Sequence, residues 1–336
     1  MSTSNPAQHR AVVARELEAV PAERRPHAGA IAVLPDDDPM FLDAVRAAGG
    51  EIAALSPDTR GLVWLSSGDA EDLVAVLDAH PGIEWVQLPY AGVDAFAGVL
   101  SGFVDRPLPL WTSAKGAYSQ PVAEHALMLT LSLLRLIPER VRATSWPTGE
   151  KFGTSLFGLS VLIVGAGGIV VELIRLLEPF GVRVTVVRRS DADVAGAERT
   201  VTSERLGEVL PDADVVVIAA AFTDGTRKLI GAAELAAMKP SAILINIARG
   251  GLVDTDALTA ALAAGEIAGA GVDVTDPEPL PDGHPLWNGP RVIITPHSAD
   301  TPAMTAPLLA ERIRENVEAF LGDGRFVGVV DVKAGY

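Results

Sequence analysis

The segment Leu159-Ser-Val-Leu-Ile-Val164 is followed immediately by Gly165-Ala-Gly-Gly168, and the fold class can be inferred from this stretch. The apolar run predicts a buried strand, and the glycines that follow predict a tight turn into a helix ending near Phe180. A second apolar strand is predicted at 183–187. Together these segments form one βαβ unit, the basic element of a doubly wound α/β sheet.

The same alternation continues on both sides of this unit. Downstream, further strands are predicted at 214–219, 242–247, 268–274 and 292–295, with helices between them at about 203–210, 231–239 and 254–264. Upstream, a smaller α/β layer is predicted from strands at 30–34, 61–65 and 83–88 and helices at 40–48 and 70–79. The fold class is therefore α/β, with two Rossmann-like domains built on doubly wound parallel sheets.

Two long helices organise the domains. A helix predicted at about 120–141 joins the two layers, and a final helix at 302–321 is expected to return to the first domain. The cofactor domain is then inserted into a discontinuous substrate domain. The expected boundaries are a flexible tail at 1–26, a substrate domain at 27–116 plus 302–336, and a dinucleotide-binding domain at 117–301.

Composition excludes several classes of protein. The chain has 336 residues, no cysteine and a formal net charge of −16. Without cysteine there are no disulfides, thiolate nucleophiles or thiolate metal sites, which fits a reducing cytoplasm, and we expect no metal. The negative charge argues against nucleic acid and anionic membranes as partners. No apolar run reaches the roughly 20 residues that a membrane span needs, and the N-terminus lacks a signal-peptide core.

The glycine turn is a candidate cofactor site, because backbone N–H groups at a helix N-terminus bind pyrophosphate. Many βα turns use glycine only structurally, but here an apolar strand precedes the turn and a helix follows it. Val170 stands where a third glycine is expected, which could displace the helix slightly from the strand. The candidate cofactor-binding residues at this turn are Gly165, Gly167, Gly168 and Ile169.

The end of the second strand indicates which dinucleotide is bound. An NAD site is expected to carry an acidic residue there, about 20 residues beyond the glycines. The chain instead has Arg188, Arg189 and Ser190, whose guanidinium and hydroxyl donors suit a 2′-phosphate. NADP(H) is therefore favoured and NAD(H) remains possible. The alternative interpretation is a solvated charge pair with Asp191 and Asp193.

Three ionisable residues follow predicted strand ends in the second half, which is the edge where such sheets bind ligands. They are Arg249, Glu278 and His297. Histidine is a suitable proton carrier near neutral pH, a carboxylate beside it would favour imidazolium, and arginine can pair bidentately with a substrate carboxylate. Each taken singly could instead be a surface ion-pair partner, a solvated loop acid or a satisfied buried histidine.

Several ordered stretches surround these residues. They are Asn246-Ile-Ala-Arg-Gly-Gly-Leu-Val-Asp254, Gly271-Val-Asp-Val-Thr-Asp-Pro-Glu-Pro-Leu280, Pro285-Leu-Trp287, Ile294-Thr-Pro-His-Ser-Ala299 and, upstream, Val122-Ala-Glu-His-Ala126. In this combination the chain closely resembles the D-isomer-specific 2-hydroxyacid dehydrogenase family, over roughly residues 85–301. The resemblance implies hydride transfer between NAD(P)H and the C2 carbonyl of a small 2-keto acid, as in glyoxylate or hydroxypyruvate reductases.

The resemblance also implies roles for particular residues. Arg249 would orient the substrate, and Glu278 with His297 would transfer the proton. Further cofactor contacts are expected from Ala248, Arg249, Asp273, His297 and Ala299, with Asp273 on the nicotinamide carboxamide. Backbone N–H groups of Tyr90, Ala91 and Gly92 would receive the substrate carboxylate, together with Arg249 and His297, although Tyr90 replaces the usual small residue.

The family resemblance further implies a substrate cleft between the domains and a homodimer built through the cofactor domain and the helix at 120–141. Two other functions remain open. One is a relative with different chemistry, such as a formate or phosphonate-oxidising enzyme; Glu278 argues against a formate enzyme, where glutamine is expected. The other is an NADP-sensing binding or corepressor protein that keeps the pocket without significant turnover.

Overall fold

The computed structural model describes residues 9–12, 19–35, 37–66, 70–146, 148, 152–289 and 291–335. It separates into two compact units, Met1–Tyr118 with Pro302–Tyr336, and Ser119–Thr301. The predicted tail at 1–26 lies partly outside the described residues. Within it, the N–H groups of Val12 and Val20 donate to the carbonyls of Gly116 and Gly324.

The first unit contains a four-stranded parallel sheet in the order β1-β2-β3-β4. An isolated parallel bridge between Ile31 and Ile52 extends it beyond β1, and an antiparallel bridge between Thr112 and Val329 extends it beyond β4. The strands are β1 (Ala30–Leu34), β2 (Thr59–Trp64), β3 (Trp85–Gln87) and β4 (Leu110–Thr112). The helices are α1 (Pro39–Ala47), α2 (Ala70–Ala79), α3 (Ala97–Ser101) and, from the C-terminal segment, α10 (Pro302–Leu321).

The last helix, α10, packs within this first unit. Phe320 stacks on Trp85 of β3 with ring centroids 5.1 Å apart. Buried Asn316 donates to Gln87 Oε1 at 2.6 Å and accepts from the Val327 N–H at 2.7 Å. Because a buried amide needs partners for both its oxygen and its nitrogen, these bonds define how the helix and the C-terminal segment pack on the sheet.

The second unit is built on a seven-stranded parallel sheet in the order β11-β10-β9-β8-β5-β6-β7. Its strands are β5 (Ser160–Val164), β6 (Arg183–Arg188), β7 (Arg199–Thr202), β8 (Val215–Ile218), β9 (Ile243–Asn246), β10 (Gly269–Val272) and β11 (Val292–Ile294). Its helices are α4 (Ser119–Leu134), α5 (Ile137–Arg142), α6 (Gly168–Leu177), α7 (Leu206–Val209), α8 (Ala232–Ala237) and α9 (Thr255–Ala264). The strand order reverses between β5 and β8, so the sheet is doubly wound as predicted and ligands are expected at that point.

The helix predicted at 120–141 is wrong in its extent. α4 ends at Leu134, Leu136 adopts a left-handed backbone with φ 55°, and α5 starts at Ile137. The reason is Pro138, which has no N–H to donate to the Leu134 carbonyl and whose ring would clash with that carbonyl in a continuous helix; the proline is tolerated instead in the first turn of α5. The proline is visible in the sequence, so the break was predictable.

Two short strands, β4 and β7, were not predicted. β4 has three residues and follows Pro109, and β7 is an edge strand in which only Val201 is buried. Such segments lack the apolar run or the alternation that identifies a strand. In the described part of the chain, no helix combines the length and the apolar character that crossing a bilayer requires.

Candidate active site

Gly165 ends the first strand of the second unit at the point where the strand order reverses. Its backbone is left-handed, with φ +126°, and a Cβ there would overlap the carbonyl oxygen of Ala219, just after β8. Only glycine tolerates both conditions. The turn predicted from the sequence is therefore present, with a steric reason that lies in the neighbouring strand.

Gly167 is the N-cap of α6 and faces open space. A Cβ built on it would meet no atom within 4 Å, unlike one built on Gly165. Open space over the N-terminus of a ten-residue helix is what a pyrophosphate requires. Val170 is fully buried, so the residue in the third glycine position packs into the interior of the unit. The residues at this turn therefore fit a dinucleotide.

Arg188, Arg189 and Ser190 lie at the carboxyl end of β6, the strand beside β5. Arg188 is half-buried and donates from Nη1 to the carbonyl of Ala192 at 3.2 Å, whereas Arg189 and Ser190 are exposed. The segment thus places donors at the edge of the sheet adjacent to the glycine turn.

His297 and Glu278 form the central pair of the site. His297 Nδ1 lies 2.7 Å from Glu278 Oε1, and the two side chains are 47% and 43% exposed. They follow β11 and β10, which are neighbours in the sheet. Because a carboxylate can only accept, Nδ1 carries the proton of this bond, and Nε2 is the ring nitrogen that can exchange a proton with another group. His297 also has a left-handed backbone with φ 49°, which is uncommon for a residue other than glycine.

Asp273 holds the loop that carries His297. Its carbonyl accepts the His297 N–H at 2.7 Å, and its carboxylate accepts the N–H groups of Ser298 at 2.9 Å and Ala299 at 3.0 Å. The residue is only 2% exposed. Three successive backbone donors therefore converge on one buried residue, which accounts for the unusual backbone of His297. The sequence predicted Asp273 as a cofactor contact and did not reveal this role.

His125 of α4 reaches the same aspartate. Its Nε2 lies 2.9 Å from Thr295 Oγ1 and 3.5 Å from Asp273 Oδ1, and Thr295 Oγ1 donates to Asp273 Oδ1 at 2.6 Å. Burial lowers the pKa of His125 below its ordinary value, and the charges of Asp273 and Asp300 only partly offset this. Neither His125 nor Thr295 was predicted as a site residue, although both fall within the stretches that carry the family resemblance.

The loop after β9 carries Arg249 and is held by a buried asparagine. Asn246 donates from Nδ2 to the Arg249 carbonyl at 3.0 Å and accepts the Ala248 N–H at 3.2 Å. A Cβ on Gly250 would overlap the backbone of Thr275, so this loop packs directly against the loop after β10 that leads to Glu278. The Arg249 guanidinium is half-buried and donates from Nη1 to the Ala248 carbonyl at 2.7 Å.

Asp300 is a further acid in this region that the sequence reasoning missed. Burial raises its pKa, and the carboxyl experiences the opposing charges of His297, Arg249 and His125 and the like charge of Asp273. These interactions group Asp300 with Arg249 and His297 electrostatically. The only sequence signal was an acidic residue three positions after the predicted catalytic histidine.

Tyr90, Ala91 and Gly92 lie in the first unit, in the loop that follows β3 (Trp85–Gln87). The Tyr90 carbonyl accepts the Ala114 N–H at 3.0 Å, and the Tyr90 side chain is exposed. Ala91 and Gly92 are half-buried. These residues occupy the carboxyl end of a parallel strand, as the predicted cofactor and catalytic residues do in the second unit.

The chain is similar to known oxidoreductases over most of its length. It matches the family model described as D-isomer specific 2-hydroxyacid dehydrogenase, NAD binding domain, over residues 126–299. It is 40% identical over 263 residues to an uncharacterized protein of Corynebacterium melassecola, covering 77% of this chain and 86% of that protein. It is 34% identical over 220 residues to a glyoxylate reductase of Aeropyrum pernix, covering 62% of this chain and 65% of the reductase.

A solved structure extends the similarity to both units. The D-isomer specific 2-hydroxyacid dehydrogenase of Xanthobacter autotrophicus Py2, in complex with NADPH and MES, superposes with a TM-score of 0.76 at 28% identity. The superposition covers 92% of this chain and 100% of that one. On the matching family model, the related sequences and the shared fold, the chain belongs to the D-isomer-specific 2-hydroxyacid dehydrogenase family and is an oxidoreductase with a nicotinamide-binding Rossmann domain.

Proposed function

We propose that this chain reduces the C2 carbonyl of a small 2-keto acid, glyoxylate or hydroxypyruvate, with a preference for NADPH, and that Arg249, Glu278 and His297 are its catalytic residues. The observation that carries the proposal is the 2.7 Å contact between His297 Nδ1 and Glu278 Oε1. This acid–base pair lies at the carboxyl edge of the same sheet whose β5–α6 turn fits a dinucleotide.

His297 supplies the proton in this proposal. With Nδ1 bonded to Glu278, the transferable proton is on Nε2, from which it passes to the alkoxide oxygen that develops at C2. The Glu278 carboxylate stabilises the imidazolium before transfer and holds the ring in one orientation. In the oxidative direction the same Nε2 accepts the hydroxyl proton of a 2-hydroxy acid.

Arg249 binds the substrate. Its guanidinium offers forked donors that match a carboxylate, and the loop that carries it is held by Asn246 and by close packing at Gly250. Tyr90, Ala91 and Gly92 are proposed as further substrate-binding residues, through their backbone N–H groups. We accordingly assign 27–116 plus 302–336 as the substrate domain and 117–301 as the cofactor domain; the matching NAD-binding model at 126–299 supports the second assignment.

The cofactor site is proposed to use the residues predicted from the sequence. When bound, reduced nicotinamide supplies the hydride to C2. The pyrophosphate is bound by Gly165, Gly167, Gly168 and Ile169, and the 2′-phosphate by Arg188, Arg189 and Ser190. The nicotinamide end is contacted by Ala248, Arg249, Asp273, His297 and Ala299. The guanidinium donors at the end of β6 and the NADPH bound to the Xanthobacter relative support NADP(H) over NAD(H).

A homodimer is also proposed, built through the cofactor domain and the helical region at 120–141, with exposed apolar residues at the end of this region and after it at the interface. Apolar side chains are unusually exposed there: Val141 is 72% exposed and Trp146 91%, and Phe152 and Phe157 are also exposed. A second copy of the chain packed on these side chains would remove their apolar surface from water. A cytoplasmic location accompanies the proposal, as the cysteine-free composition suggests.

The test is a spectrophotometric assay of the purified protein. NADPH and NADH oxidation is followed with glyoxylate, hydroxypyruvate, pyruvate and a phenyl-substituted 2-keto acid. We expect turnover of one or both small acids with higher kcat/KM for NADPH than for NADH. Binding of NADPH without turnover of any of these acids would refute the proposal and favour the NADP-sensing alternative. A matched His297→Asn preparation controls for contaminating reductases.

A further inference from the structure

A chain of hydrogen bonds leads from helix α4 to the backbone of His297. It runs from His125 Nε2 to Thr295 Oγ1 at 2.9 Å and from Thr295 Oγ1 to Asp273 Oδ1 at 2.6 Å. The carbonyl of Asp273 then accepts the His297 N–H at 2.7 Å. His125 and Thr295 are 170 positions apart in the sequence, so only the fold brings them together.

The direction of donation along this chain can be deduced. The Asp273 carboxylate already accepts the N–H groups of Ser298 and Ala299, so it acts as an acceptor toward Thr295 as well. The Thr295 hydroxyl therefore donates its single proton to Asp273 and has only lone pairs left for His125. His125 must then carry a proton on Nε2. Burial of the ring disfavours the imidazolium form, which is consistent with a neutral Nε2–H tautomer.

The loop at the end of this chain needs an anchor. His297 has a left-handed backbone, which a residue with a Cβ adopts only where its surroundings impose it. Asp273 provides that constraint through the N–H groups of residues 297–299. The Asp273 carboxylate is in turn bonded by Thr295, which is bonded by His125. Of the side chains in this network, His125 alone belongs to a helix; the others follow strands β10 and β11.

We propose that His125 is a positioning residue for the proposed reaction: by donating from Nε2 to Thr295, it orients Asp273 and thereby holds His297 where its ring bonds Glu278. His125 touches neither substrate nor reacting atoms in this role. The kinetic part of the inference rests on the proposed function, whereas the hydrogen-bond chain does not.

The first test is long-range ¹⁵N–¹H NMR of the histidine side chains in the cofactor-free protein, which has six histidines. At pH 7 we expect His125 as the neutral Nε2–H tautomer and a downfield Nδ1–H proton for His297. His125→Leu and Thr295→Val should both broaden or shift the His297 signals. His125→Gln, which keeps an N–H donor, should restore them, and His80→Gln is the control. An Nδ1–H tautomer for His125, or unchanged His297 signals in the Leu and Val variants, would overturn the proposal.

The second test is a double-mutant cycle on kcat. His125→Leu and Thr295→Val should each lower kcat by about ten- to hundredfold, as small misplacements of catalytic groups do, while NADPH binding stays close to wild type. The double variant should be no worse than either single one, because both break one chain. Additive losses, or a Gln variant as poor as the Leu variant, would contradict an action through Thr295. If the wild type reduces no keto acid, the proposed function fails, and the spectra still decide the hydrogen-bond chain.

Discussion

His297 Nδ1 lies 2.7 Å from Glu278 Oε1, and this contact joins the loops that follow two adjacent parallel strands. The histidine loop is anchored on Asp273, and the glutamate loop is packed against the backbone at Gly250. The pair is therefore held from both sides by backbone interactions. Its accessibility to solvent is what a proton donor for a diffusing substrate requires.

Replacing His297 by Asn should remove most of the activity. The variant loses the proton donor, so kcat should fall about 10²- to 10⁴-fold, the usual contribution of general acid catalysis. NADPH affinity, measured by fluorescence titration, should stay near the wild-type value. His80→Asn, a half-buried histidine of the first unit, is the matched control. An unchanged kcat in His297→Asn would exclude the proton role.

Glu278→Gln should have a smaller effect. Glutamine can still accept from Nδ1 but provides no charge for the imidazolium. Hydrogen bonds to charged groups contribute about 1.5–3 kcal/mol, so kcat should fall roughly ten- to 150-fold. Stopped-flow measurement of the reduction step separates this loss from product release. A loss as large as that of His297→Asn would mean that Glu278 does more than support the ring.

The two glycines of the β5–α6 turn should respond differently to alanine. Gly165→Ala places a methyl group against the Ala219 carbonyl in a left-handed conformation and should lower the melting temperature or prevent folding. Gly167→Ala meets no protein atom and, as a poorer N-cap, should lower the melting temperature only slightly, yet its methyl group occupies the space assigned to pyrophosphate. NADPH affinity of Gly167→Ala should therefore fall. Equal NADPH affinity in this variant and the wild type would contradict a pyrophosphate-binding site at Gly167.

Neutralising Arg188 and Arg189 together should change cofactor preference. The double Arg→Gln variant loses the donors proposed for the 2′-phosphate, so KM should rise for NADPH and change little for NADH. The ratio of kcat/KM for the two cofactors is the quantity to measure. Arg183→Gln, at the opposite end of the same strand, is a control. Equal changes in kcat/KM for NADPH and NADH would show that these arginines do not bind the 2′-phosphate.

Asp300 should make stability depend on pH. Burial raises its pKa above the ordinary value of 3.8, so the folded state binds the proton more tightly than the unfolded state. The free energy of unfolding therefore falls as pH rises through the window above 3.8. Asp300→Asn removes this dependence, and its melting temperature relative to wild type should increase as pH rises above 3.8. Asp282→Asn, an exposed loop acid, is the control. A melting-temperature difference that is constant with pH would contradict the prediction.

The seven-stranded sheet was largely predictable because its evidence is local. Its central strands are continuous apolar runs, as expected where both faces of a parallel sheet are covered. The glycine turn and the positions of Arg249, Glu278 and His297 after strand ends follow from the same pattern. β4 and β7 were not predicted because they are short or lie at an edge of the sheet. The helix break at Leu136 is caused by Pro138, which cannot continue the helix from α4.

The interactions that hold the candidate catalytic residues in place join parts of the chain that are far apart in the sequence. Apolar periodicity and strand ends in the amino-acid order were enough to name the nucleotide-binding turn and the catalytic candidates, because both are properties of consecutive residues. Other features exist only once helices and strands have packed. They are the pairing of His125 with Thr295, the three N–H groups bonded to Asp273, the packing of Gly165 against Ala219 and the electrostatic environment of Asp300. Hydrogen bonds, steric exclusion and desolvation act over a few ångströms. The number of residues between two positions does not reveal whether they lie that close in the folded protein.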